Sequence, residues 1–397
     1  MLGGMTKLVE KASLAGWASI GFFILLCGPW VLPDNKLYHQ LIIFSLWLPA
    51  LLGVFRQSIR RLIKLPEVFF FVVFSIWTLC VLGLEGADEP GKGKIVLYVT
   101  LTLLGVLLAA QHAKWRLESL LFCSSVVGGI FAAVSVICFY SGPQASGGRM
   151  IALGLWDTVI MAAHAVGALA IIGVFMSQTR RFSWPALSLL MIPAAGYLMF
   201  LGLSQTRGVW IALVAMMIVM VIARPSRLGV GLIVFMAISV AGVAFLDPGL
   251  LLQRGVSYRP YLWSGGIQLI EQHWATGLGF HEYLITVPVA GSFKHPHNLF
   301  LDTGVRLGLP GLLIFCCLWL TVGWRGWVSR AEPLGQALLA LWVFSSVSLM
   351  TDGIGLWLKP NADWLITWLP VCLSIVLAYR STSVEAPEPA KPARPIL

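Results

Sequence analysis

Three residues combine a side-chain type with a position suited to chemistry on a phosphate: Arg207 in SQTRGVW, Arg259 ahead of Pro260, and His297 in HPHNLFLDTGVRLGLPGLLIF. A guanidinium presents a planar fork of donors that matches phosphate oxygens, and an imidazole accepts a proton near neutral pH. Arg149, Arg254, Lys294 and Arg306, with His281 and His295, extend the same basic set. The chemistry these residues suggest is binding of a phosphorylated lipid by the arginines, with His297 as proton acceptor. For Arg254 or Lys294 taken singly, the plainer alternative is snorkelling or a structural salt bridge.

The elements that must carry these residues are set by composition. Of 397 residues, 58% are hydrophobic and only 11% charged, where a soluble domain carries about a quarter charged residues. That excludes a soluble enzyme and a disordered chain, and the formal net charge of +10 reads as topology rather than nucleic-acid binding. We expect an all-α polytopic membrane protein. Apolar runs place about 12 transmembrane helices near 14–33, 38–55, 67–84, 95–111, 119–140, 156–176, 185–204, 208–223, 228–246, 309–327, 334–350 and 362–379. With the N-terminus in the cytoplasm, 17 of the 27 Lys and Arg fall on the inner side, so both termini are expected to be cytoplasmic.

The outer side then holds every residue named above. It also holds one long connection, Asp247 to His297, and loops of that size are uncommon unless functional or structured. Within it, Leu262, Trp263, Ile267 and Ile270 alternate with Ser264, Gln268, Glu271 and Gln272 at helical spacing, which predicts an amphipathic helix over 261–273 at the membrane surface. Residues 1–380 read as a single transmembrane domain. Residues 381–397, rich in proline and small residues, read as a disordered cytoplasmic tail.

Other familiar chemistry is missing: there is no phosphate-binding Gly-Lys loop, HExxH, GxSxG or outward DxD pair. His281, His295 and His297 with Glu282 or Asp302 match no common metal spacing, so neither metal nor cofactor is expected. Pro296 is expected to turn the His295 and His297 rings apart. Asp157 and His164, in the sixth apolar run, can serve as a helix cap and a hydrogen-bonded core group or can be functional. The seven cysteines fall in apolar runs and read as buried thiols.

The TRG of Thr206 to Gly208, the stretch RPYLWSGGIQLI…GLGF from Arg259, and HNLFLDTGVRLGLPG from His297 together resemble the O-antigen ligase and polymerase superfamily of bacterial inner-membrane glycosyltransferases. The likeness of architecture runs the whole chain, and the motifs cover about a third of it. The family often has Glu where this chain has Arg306, and a proline where it has Trp274-Ala275. The resemblance implies a periplasmic active site that takes a glycan from undecaprenyl pyrophosphate and, in a ligase, joins it to the lipid A core. It implies that Arg207 and Arg259 hold the donor pyrophosphate and that His297 is the general base. Arg149, Arg254, His281, Lys294, His295 and Arg306 would serve substrate binding, acceptor phosphates among them. Guanidiniums can stabilise a departing pyrophosphate without a metal, and with no carboxylate placed as nucleophile the transfer is expected to be inverting. A polymerase using the same donor and a transporter or flippase of an anionic lipid stay open as alternatives. Besides donor and acceptor, only membrane lipids are expected as partners, and no nucleic acid.

The topology gives the first prediction. Single cysteines at 207, 259 and 297 in intact cells should react with an impermeant thiol reagent admitted through the outer membrane, and reporters at both termini should stay cytoplasmic. Protection of all three sites would reverse the orientation.

Overall fold

The computed structural model describes residues 2–54, 59–112, 116–142, 150–225, 227, 230–231, 233–234, 258–288, 290–353 and 355–384. The chain is mostly helical with little strand. In order the principal helices are α1 (Leu2–Val31), α2 (Asn35–Ile42), α3 (Leu48–Gly53), α4 (Pro66–Leu84), α5 (Gly93–Ala109), α6 (Leu117–Ser141) and α7 (Val159–Ser177). They continue with α8 (Trp184–Leu203), α9 (Arg207–Ala223), α10 (Arg259–Gln272), α11 (Leu299–Val328), α12 (Pro333–Thr351) and α13 (Trp368–Val384).

Eight stretches among the described residues are helical, long and apolar enough to cross a membrane, while α5 and α9 are apolar but shorter, at 17 residues each. The expected second span is assembled from α2, a π-helical turn at Ile43–Trp47 and α3. Pro49 supplies the reason, since its missing N–H leaves the carbonyl four residues back without its regular partner. The expected ninth span, 228–246, lies almost wholly outside the described residues. The last helix runs to Val384, four residues into the stretch read as tail. Cys27 and Cys372 are buried, but Cys80, Cys123, Cys138 and Cys317 are exposed on helix faces, so the expectation of seven buried thiols is corrected.

Residues expected on one side of a membrane meet at one end of the helices. Leu155 N donates to Pro29 O (2.7 Å) and Phe280 N to Gly86 O (3.1 Å). At the opposite end, Arg325 pairs with the buried Glu67 (2.9 Å) and Arg380 with Glu118 (2.5 Å). The long connection contributes α10, which is the expected amphipathic helix, and a small hairpin of β1 (Ile285–Val287) and β2 (Gly291–Phe293), with Thr286 opposite Ser292. Leu262 of α10, Tyr283, Ile285 and Val287 close a core of their own on Val305 of α11.

Helix α11 is two helices joined at Gly308, whose φ of 68° and ψ of −179° suit glycine alone. The expected tenth span began at 309, and it corresponds to the second of the two. Four of the freed backbone groups find new partners, as a break in an apolar setting requires. Leu309 N donates to Trp274 O (2.7 Å) rather than to Val305 O, which accepts from Leu278 N (2.8 Å). Pro310 has no N–H for Arg306 O, so Gly279 N donates there (3.0 Å), and Leu307 O accepts from Trp77 Nε1 (2.8 Å). The break is therefore the seat on which the segment after α10 docks.

A Cβ at Gly308 would lie 2.7 Å from the backbone of Ala275 as well as forcing a strained dihedral. Gly308→Ala is expected to cost about 1–3 kcal/mol, read as a lowered melting temperature of the detergent-solubilised protein, whereas Leu309→Ala on the exposed face should change it little.

Candidate active site

The turn between α8 and α9 is only three residues, Ser204 to Thr206, and it brings Gln205 into the left-handed region at φ 50°. Arg207 is thereby the first residue of α9, and Arg259, after Tyr258 and before Pro260, is the first of α10. A cation is poorly placed at the positive end of a helix dipole, so two such placements favour an anion close by. Both residues line one cavity of about 120 Å³, together with His164, Thr351 and Asp352. Gly208 makes the closure feasible, because any Cβ there would collide with Thr351 Oγ1 at the end of α12. Arg259 Nε donates to Thr351 O (2.5 Å), pinning the start of α10 to the same point.

His297 enters through Asp352. Its Nδ1 lies 2.8 Å from Asp352 Oδ1, and an ionised carboxylate can only accept, so Nδ1 carries a proton and, in the neutral ring, Nε2 is the nitrogen with the lone pair. The backbone of His297 is left-handed, at φ 51°, and Gln205 and His297 are the non-glycine residues with positive φ among those described. Strain at such positions persists where the surrounding structure over-determines it. Here the next residue does so: Asn298 caps α11 by accepting from Phe300 N (3.0 Å) and Leu301 N (3.1 Å). Burial works against ionisation of Asp352, but the His297 hydrogen bond and the nearby His164 and His297 rings outweigh it and hold the carboxyl below its ordinary range.

The other expected residues sit elsewhere on the same end of the molecule. A second cavity of about 300 Å³ is lined by His281, Lys294, His295 and Arg306, but also by Asp88, Glu282 and Asp302. His281 Nδ1 meets Asp88 (2.6 Å), Lys294 meets Glu282 (3.0 Å), and Arg306 meets the buried Asp302 (3.0 Å) while lying over the Tyr283 ring. Lys294 thus makes the structural salt bridge that was its plainer alternative, and His281 and Arg306 are ion-paired as well. The hydrogen bonds the ring donates to Asp88 and to Glu85 O raise His281 above the usual histidine range. His295 is not turned away from His297 as expected: the ring centroids are 4.1 Å apart. Burial and the adjacent His297 ring lower its proton affinity, which keeps it neutral beside the base. Arg149 and Arg254 lie outside the described residues. No three His, Cys, Asp or Glu side chains converge as a metal set among the described residues.

Asp352 and Thr351 are site residues that the sequence reading missed. An acid closing an outer span in LMTDGIG was the available signal, but nothing in the spacing ties it to His297, 55 residues earlier. Asp157 is no cap: Thr158 holds that place, accepting from Met161 N (3.1 Å).

Fold and site together define a polytopic helical membrane protein with an arginine and histidine site suited to a phosphate, gathered at one end of its helices. Residues 165–316 match a family model described as O-antigen ligase, a stretch that contains Arg207, Arg259 and His297. The chain is also 26% identical over 369 residues to an O-antigen ligase of Pseudomonas aeruginosa, covering 90% of each chain. The resemblance to O-antigen ligases expected from the motifs is therefore shown, and the likeness is to a glycosyltransferase-type enzyme.

If His297 acts as a base oriented by Asp352, Asp352→Asn should cut glycan transfer by a factor on the order of 10²–10⁴, the range of general acid–base contributions. His297→Ala should cost at least as much, with membrane insertion near wild type. Wild-type turnover in either variant would remove that residue from the mechanism.

Proposed function

We propose that the protein transfers a glycan from undecaprenyl pyrophosphate to the lipid A core at the periplasmic face of the inner membrane, with both termini in the cytoplasm. The observation that carries this reading is the shared cavity: two guanidiniums at two helix N-termini, beside the carboxylate that orients an imidazole. The donor pyrophosphate binds Arg207 and Arg259. His297 Nε2 takes the proton of the acceptor hydroxyl as its oxygen attacks the anomeric carbon from the face opposite the pyrophosphate. The bond from that carbon to the phosphate oxygen breaks, its electron pair leaves with undecaprenyl pyrophosphate, and the anomeric configuration inverts. The guanidiniums offset the charge that develops on the leaving group, and Asp352 offsets the charge of the imidazolium.

The acceptor occupies the larger cavity, where His281, Lys294, His295 and Arg306 alternate with carboxylates. A wall of paired charges suits a sugar with phosphate substituents better than a bare anion, because hydroxyls find acceptors as well as donors. A ligase is favoured over a polymerase by the name of the Pseudomonas aeruginosa relative. Deleting the gene should leave polymerised glycan on undecaprenyl pyrophosphate and the lipid A core uncapped, whereas core capped with single repeat units would show a polymerase.

The direct test is reconstitution of the purified protein with an undecaprenyl-pyrophosphate glycan and lipid A core, in excess chelator and without nucleotide. A joined product is expected. Arg207→Lys and Arg259→Lys should each lose most of that activity, because an ammonium cannot reproduce the paired donors. Absence of product from authentic substrates would overturn the reading.

A further inference from the structure

His164 lies in the second turn of α7, only 3% exposed, and it lines the smaller cavity with Arg207, Arg259 and Asp352. Its Nδ1 is 3.6 Å from Asp363 Oδ1, close enough for charge attraction but beyond hydrogen-bond length. Nε2, at the opposite edge of the ring, is buried and has no hydrogen-bond partner among the described residues. Buried polar atoms in folded proteins are nearly always partnered, and one left over on a residue that lines a cavity calls for a partner, such as an atom of a ligand. Core packing alone does not account for a histidine here, since the positions around it in VIMAAHAVGALA are apolar.

The ligand's chemistry follows from the neighbours. The guanidiniums of Arg207 and Arg259 donate only, so a molecule that fills their cavity presents acceptor oxygens. Asp363 lies on the Nδ1 side, and an acceptor oxygen of a ligand on the Nε2 side would give the ring an acceptor at each nitrogen. Each terminal oxygen of a leaving pyrophosphate accepts more than one hydrogen bond, so two guanidiniums leave room for a further donor. We propose that His164 is a third binding group for the donor pyrophosphate, donating from Nε2 to a phosphate oxygen, with Asp363 as the group that orients its ring. This deepens the reading above and rests on it.

Phosphate oxygens could come from the donor or from the acceptor's phosphates, and kinetics separates the two. In the reconstituted assay, His164→Ala should raise KM for the lipid-linked donor, and the inhibition constant of inorganic pyrophosphate, roughly ten- to a hundredfold, the range carried by a hydrogen bond to a charged group. KM for the acceptor should stay within about twofold. His164→Gln, whose amide nitrogen reaches about as far as Nε2, should recover most of the donor affinity, whereas His164→Asn, with its nitrogen near the Nδ1 position, should not. An unchanged donor KM in His164→Ala, a change confined to the acceptor, or equal losses in Ala and Gln with a lowered melting temperature would each overturn the proposal. Arg207→Ala is the control. If it too transfers normally, the pyrophosphate reading itself fails; if it is inactive while His164→Ala is normal, only the role of His164 falls.

Discussion

The hydrogen bond between His297 and Asp352 is the contact on which the arrangement of this end of the molecule turns. Asp352 closes α12, and His297 stands just ahead of α11, so one 2.8 Å contact couples the exit of one apolar helix to the start of another. The same carboxylate lines the cavity with both arginines, and Thr351 beside it accepts from Arg259 and receives Gly208 of the TRG motif at close range. Four segments far apart in the chain are thus held within reach of one anion. Partial burial of the pair makes its electrostatics stronger than the same contact would be in water.

That contact needs a firm base, and the break at Gly308 provides it. A helix interrupted in an apolar setting frees backbone groups that need new partners, and here Trp274, Leu278, Gly279 and Trp77 supply four of them. The repair therefore doubles as an anchor for α10, whose first residue is Arg259. The ion pairs of Arg306 with Asp302, His281 with Asp88 and Lys294 with Glu282 fasten the remainder of the connection around the larger cavity. Around the smaller cavity two helix N-termini add a field that favours an anion.

The two ends of the helix assembly handle charge differently. At the far end, Glu67 is buried against Arg325 and Ser374, and Glu118 meets Arg380; these contacts tie α4 to α11 and α6 to α13. At the site end, His164 keeps a nitrogen without a partner among the described residues, beside guanidiniums on helix starts. Ion pairs between helices suit a structural end, and a histidine beside guanidiniums suits a site whose preorganised dipoles meet charge as it develops.

By itself the amino-acid sequence determined the class of fold, because hydrophobic runs long enough to span a bilayer are a local property and need no partner to be recognised. It also marked Arg207, Arg259 and His297, since cations and an imidazole at the boundaries of apolar runs have few structural reasons to be there, and it placed α10 through the spacing of Leu262, Ile267 and Ile270. The tertiary structure alone decided which charges are answered. His281 looks like a free cation in sequence, yet it meets Asp88, 193 residues away, whereas Arg306 and Asp302 lie four residues apart on one helix; Asp352 looks ordinary in sequence, and with His164 it reaches the cavity only because α7, α9 and α12 converge there. Ion pairing and desolvation depend on distance in space to groups tens or hundreds of residues away, and hydrophobic periodicity carries no record of that distance.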